Sequence, residues 1–110
     1  MQFLSKTPSG KVLTTSELVG YQEEAVVSRT PSQTRNGTVT VFAFDEGQGL
    51  SEHTAPFDAM AFLLEGEAQV NIQEKENLLK AGEMIIMPAN QPHSLFALKK
   101  FKMLLIMLRS

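Results

Sequence analysis

Two residues in this chain stand out as able to do chemistry, His53 and His93, its only histidines. A neutral imidazole ligates transition metals, donates and accepts hydrogen bonds, and moves protons near neutral pH, so a pair that meets in space makes a site. Each histidine sits in a strand-like stretch punctuated by glycine or proline, the first running from Gly47 to Gly66 and the second from Gly82 to Ala97. Other chemistries find little support. There is no cysteine, which removes disulfides, thiolate metal sites and thiol nucleophiles. No nucleophile elbow and no phosphate-cradling glycine loop before a helix occurs. Glu52, Asp58 and Glu65 are near one another in sequence, but strand alternation and turns scatter them, which argues against paired-carboxylate catalysis.

The elements that must position the two imidazoles are strands. Thr38, Thr40, Phe42 and Phe44 alternate with Val39, Val41, Ala43 and Asp45, and Ala68, Val70 and Ile72 alternate with Gln69, Asn71 and Gln73. Asn36-Gly37, Gly47-Gln48-Gly49, Glu65-Gly66, Ala81-Gly82 and Lys99-Lys100 mark turns. The spacing predicts about eight to ten short strands and no sustained helix, which is the rhythm of an all-β sandwich or small barrel. Residues 30–37 read as a loop, 74–77 as a hairpin tip, and 1–23 as an arm or short strand with room for one helical turn near Ser16. The whole, 1–110, reads as one domain with residues 24–110 as its β body.

Pleating then assigns faces. If His53 points inward, Ala55, Phe57, Ala59, Ala61 and Leu63 point in with it, and Asp58 is sent outward with Thr54, Pro56, Met60, Phe62 and Leu64. The outward row is itself apolar, as is Leu104, Ile106 and Leu108 on the last strand. Strands greasy on both faces call for a second sheet or subunit, and a homodimer is predicted.

The two stretches resemble the paired motifs of the cupin superfamily, small jelly-roll barrels also described as double-stranded β-helices. The first motif is a glycine, five residues, a histidine, one residue, a second histidine, three or four residues, a glutamate, six residues and a glycine; Gly47, His53 and Gly66 fall in register. The second is a glycine, five residues, a proline, one residue, a glycine, two residues, a histidine, three residues and an asparagine; Gly82, Pro88 and His93 match. Ala55 stands where the second histidine would be, Ala59 (or Met60) where the glutamate would be, and Asn90 and Ala97 replace the second motif's glycine and asparagine. Of the four metal ligands the resemblance implies, His53 and His93 remain.

Two readings give the pair a role, beside a third in which the chain is a dimeric scaffold without a ligand. In the first, the lost ligands leave an apolar pocket lined by His53, Ala55, Phe57, Ala59, Leu63, Met87, His93 and Leu95 that binds a small organic molecule, in a sensor or accessory role. In the second, His53 and His93 hold a divalent transition metal completed by water or substrate, in an isomerase, lyase or dioxygenase. Composition narrows the partners. With 43% hydrophobic and 20% charged residues and a net charge of −2, the chain is an ordinary globular protein with no basic surplus for nucleic acid. No apolar run approaches membrane-spanning length and no signal peptide is visible, so a cytoplasmic protein without membrane contact is expected.

Overall fold

Apolar alternation and glycine interruption do set the strands, though the chain uses fewer and longer ones than its turn signals suggest. The structure, a computed structural model, describes residues 8–109. Among these lie seven strands, β1 (Val26–Thr34), β2 (Gly37–Phe44), β3 (Gly49–His53), β4 (Asp58–Ile72), β5 (Lys75–Lys80), β6 (Met84–Met87) and β7 (His93–Leu108), after a short 3-10 turn at Thr15–Glu17. All pairings are antiparallel.

β4 and β7 organise the fold. They are 15 and 16 residues long and pair with each other from Asp58↔Leu108 to Ile72↔His93. Register shifts interrupt that ladder between Leu63 and Ala68, where both strands turn a corner. On one side of the corner β2 and β6 flank the pair and β1 adds to β2; on the other side β3 and β5 flank it. The result is two facing walls that share two strands. Two expected turns, at Glu65-Gly66 and Lys99-Lys100, are thus bends inside continuous strands, because bulges redirect a strand without ending its pairing. Gly66 adopts φ 87° at the corner, where the Lys100 carbonyl and the Phe101 backbone leave no space for a β-carbon.

Two further expectations need correction. Residues 30–37 are not a loop: β1 continues to Thr34 and only Arg35-Asn36 turn. Pro31 is accommodated because β1 is an edge strand with a bulge between Arg29 and Ser32, where no ladder donor is needed. The hairpin tip lies at Gln73-Glu74, not at 74–77, with β5 starting at Lys75.

The inward faces of both walls meet in one core. Ala59, Ala61, Leu63 and Met103 come from the first wall, Val70, Leu79, Leu95 and Ala97 from the second. Near the corner, fully buried Phe44 and Phe101 stack with ring centroids 4.5 Å apart, a geometry that adds directional attraction to area burial. Outside the first wall, Leu18, Val19 and Tyr21 of the arm pack on Val27, Val41, Ala43, Leu64 and Leu104. Tyr21 anchors the arm: its hydroxyl donates to Glu65 at 2.8 Å while Lys100 and Lys102 lie over its ring. Burial and the Glu65 carboxylate hold that phenol well above its ordinary pKa, so it stays a donor. The arm thus covers part of the apolar outer row. Phe62, Met84, Ile86 and Leu108 stay exposed beside it.

Candidate functional site

The corner decides which residues share a neighbourhood. Ala59 lies seven residues before Gly66 on the first wall, and Ile72 six residues after it on the second. At about 3.3 Å per residue these positions reach the same end of the body, away from the corner. Laterally, the ladders place His53, His93 and Ile72 in one row on the second wall. Thr38, Met107, Ala59 and Met87 form the corresponding row on the first. This open end holds most of the chemistry the sequence singles out.

His53 and His93 meet, with ring centroids 4.3 Å apart in an edge-on arrangement at 68°. Their environments differ. His93 is 5% exposed, whereas His53 lies exposed over it, so the expected enclosed pair is a rim pair with one buried member. Each imidazole is oriented by its own backbone: His53 Nδ1 donates to the Ser51 carbonyl at 2.8 Å and His93 Nδ1 to the Gln91 carbonyl at 3.2 Å. A carbonyl only accepts, which fixes the proton on Nδ1 in both rings and leaves each Nε2 as a lone-pair acceptor when the ring is neutral. Among the described residues the one buried side-chain polar atom without a partner is Thr38 Oγ1, so the unpaired Nε2 of His93 opens to solvent-accessible space despite the ring's burial.

His93 favours the neutral form. Burial depresses its pKa below 6.5; the Gln91 carbonyl opposes that shift and the neighbouring His53 ring reinforces it. The unfolded chain takes up that proton at its ordinary pKa, so unfolding is favoured as pH falls below about 6.5. Stability is therefore expected to be complete above that pH and to decline with acid until His93 is protonated in the fold as well. Melting temperature measured from pH 8 to pH 5 checks this, with His93→Gln giving the flatter profile.

The other expected pocket residues divide. Ala59, Leu63, Met87 and Leu95 share the buried core, on both walls. Ala55 is half-buried in the β3–β4 connection, its carbonyl accepting from Asn90 N at 2.7 Å. Phe57 leaves the inward row. Residues 54–57 are not extended strand, so the alternation counted from His53 does not run through them, and Phe57 packs under the Arg109 guanidinium, 5.1 Å from ring centroid to Cζ. Asp58 is outward as expected, its carboxylate accepting from Ala89 N at 2.9 Å and tying down the β6–β7 loop. In that loop Asn90 takes φ 64°, a left-handed conformation that asparagine tolerates better than most residues.

The donor set does not fit a resident transition metal. No group of three or more His, Cys, Asp or Glu converges among the described residues, Ala55 and Ala59 offer no donor, and Asp58 is engaged elsewhere. Two imidazoles fall short of the three or four ligands a stable zinc or non-haem iron centre uses. Thr38 is what sequence reading missed: alternation put it on the row of Phe42 and Phe44, but nothing in a strand-forming threonine announces that its hydroxyl lacks a partner.

Known proteins share this architecture. The family model "Cupin domain" matches residues 40–108. A conserved protein of unknown function from Streptococcus pyogenes is 34% identical, with 100% of this chain and 96% of that one covered and a TM-score of 0.90. A cupin superfamily protein from Desulfitobacterium hafniense is 26% identical over 96% of this chain and 97% of its own, TM-score 0.88. A cupin 2 conserved barrel domain protein from Leptotrichia buccalis is 36% identical over 86% of this chain, which spans 46% of that one, TM-score 0.81. No curated protein matches.

Proposed function

The chain belongs to the cupin domain family, and from that premise we propose that it is a binding module, taking a small organic molecule at the open end of its barrel without a resident metal. The observation that carries this reading is the histidine pair. Both rings are held by backbone carbonyls, both leave Nε2 unpaired, and they share their wall with apolar Ile72 and Leu95. An apolar recess with a few oriented polar groups is the common form of a small-molecule site. A merely packed barrel gains nothing from desolvating His93, whose charged form the fold disfavours.

The test is a thermal-shift screen against neutral, cationic and anionic small molecules, run on the parent chain and on His93→Ala. Stabilisation of the parent that disappears in the variant supports the proposal. If no compound stabilises the parent, the barrel is a scaffold and the proposal fails.

One observation favours the second reading, a metal-dependent enzyme: an Nδ1 held by a backbone carbonyl with Nε2 outward is how metal-binding imidazoles are oriented. Metal analysis of protein purified without added metal separates the two. Stoichiometric transition metal, lost in His53→Ala, would replace the first reading by the second.

The partner that suits the outer face is a second copy of this chain. Met60 and Ile106 join the exposed Phe62, Met84, Ile86 and Leu108 across β6, β4 and β7. A two-fold axis through such a patch sets apolar row against apolar row. Light scattering is expected to give a dimer mass, and Ile86→Lys a monomer.

A further inference from the structure

On the outside of the first wall, at the same open end, a second set of groups gathers that the histidine pair does not use. Asp58 opens β4 and stands across from Leu108, both on the outward face. The chain around them is not strand: residues 54–57 bend away from β3, residues 88–92 link β6 to β7, and Arg109 follows the end of β7. Hydrogen bonds fix these three pieces to the body. Asn90 N donates to the Ala55 carbonyl at 2.7 Å, Arg109 N to the Asn36 carbonyl at 2.7 Å, and Ala89 N to Asp58 Oδ1 at 2.9 Å. Between them lies a cleft of ≈ 330 Å³ lined by Pro56, Phe57, Asp58, Ala89, Leu108 and Arg109. That is the small end of the roughly 300–1,000 Å³ range of sites that take small molecules.

The cleft holds two opposite charges that do not cancel one another. Arg109 lays its guanidinium over the Phe57 ring, with Cζ 5.1 Å from the ring centroid, and the ion pair among the described residues joins Lys99 to Glu67 instead. A cation–π contact steadies the guanidinium yet leaves its planar fork of N–H donors able to take a carboxylate. Asp58 is exposed and gives Oδ1 to Ala89 N, which leaves Oδ2 for a second donor. A bare carboxylate entering this cleft is drawn by Arg109 and opposed by Asp58, and a bare ammonium meets the reverse. Only a molecule that carries both charges suits both groups. The remaining lining, Pro56, Phe57, Ala89 and Leu108, offers its body an apolar contact.

We infer that this cleft binds a free α-amino acid with an apolar side chain, its carboxylate on the Arg109 guanidinium and its ammonium on the Asp58 carboxylate. The site is separate from the histidine pair and goes beyond the binding role proposed for that pair. Leu108 also belongs to the apolar outer patch, so the cleft lies at the edge of the face expected to join two copies.

Chemical-shift titration at neutral pH with three probes of one body tests it: L-phenylalanine, 3-phenylpropionate and 2-phenylethylamine. Both charged groups are open to water, so phenylalanine is expected to bind weakly, at about millimolar concentration, and about three- to tenfold tighter than either analogue. An analogue that binds as tightly as phenylalanine, or no binding by any probe, overturns the inference. Asp58→Asn, which keeps an acceptor for Ala89 N, is expected to weaken phenylalanine about threefold and to strengthen 3-phenylpropionate by a similar factor. Arg109→Gln should weaken phenylalanine likewise and strengthen 2-phenylethylamine. A variant that weakens all three probes alike overturns the roles given to the two charges. His93→Ala is expected to bind phenylalanine as the parent does, and loss of binding there would move the probe to the histidines and overturn the cleft assignment. Ile86→Lys is expected to retain it too, and loss there would show that one chain does not make the site.

Discussion

Gly66→Ala is expected to destabilise the fold by about 2–5 kcal/mol, a large share of the roughly 5–15 kcal/mol that holds a domain of this size. Two effects add. At φ 87° any β-carbon suffers the left-handed penalty of about 1–2 kcal/mol. The added carbon would also lie 2.7 Å from Phe101 Cα and overlap the Lys100 carbonyl, backbone atoms that cannot swing aside, and forced overpacking typically costs about 1–3 kcal/mol. Relief requires the β4–β7 corner to open, which would unseat Phe101 from Phe44. Gly82→Ala is the matched control. It has the same φ of 87° but nothing within 4 Å of the position its β-carbon would take, so only the conformational part should appear. Urea unfolding of the three proteins measures both, and equal losses at Gly66 and Gly82 would show that the corner is not tightly closed.

Rebuilding the family's ligand set is expected to have the second large effect. Ala59 is 4% exposed and faces the core at the open end, so Ala59→Glu buries a carboxylate among apolar groups. Alone it should lower stability by a few kcal/mol, about what an unpaired buried charge costs once its pKa has risen. With Ala55→His added, four donors replace two, and zinc or nickel should then restore the melting temperature through preferential binding to the folded state. The gain in metal affinity over the parent is expected to be at least about a hundredfold. Because Ala55 lies in a connection outside the strands, Ala59→Glu should contribute the larger part. Titration calorimetry with metal on the parent, each single variant and the pair checks this; a parent that binds as tightly as the pair would show that two imidazoles suffice.

The same positions show what could be read from the sequence. Gly47, Gly66 and Gly82 all adopt positive φ, the backbone need that made their spacing informative, and Asn90 keeps a left-handed angle where the motif has glycine. The meeting of His53 and His93 was legible because it depends on strand order, which the motifs encode. The exposure of His53 was not, since it depends on β3 being a short flanking strand rather than part of a long inward row. Phe57 was misplaced because a parity count assumes unbroken extension, and the chain bends at 54–57. The strand through Pro31 was not legible, because a proline's tolerance depends on whether its strand has a second neighbour. Thr38 was invisible for the same kind of reason: a hydroxyl lacks a partner only by virtue of what the opposite wall omits.

The shared ladder of β4 and β7 also sets an order of assembly. Its innermost pair, Ile72 with His93, joins residues 21 positions apart, while its outermost, Asp58 with Leu108, joins residues 50 apart. Closing the shorter loop sacrifices less chain entropy, so pairing is expected to nucleate beside His93 and zip outward around the bend. β2, which carries Thr38, can add only once the late half of β7 exists to receive it. The wall that carries Thr38 would then close over the wall that carries the histidines at the last step.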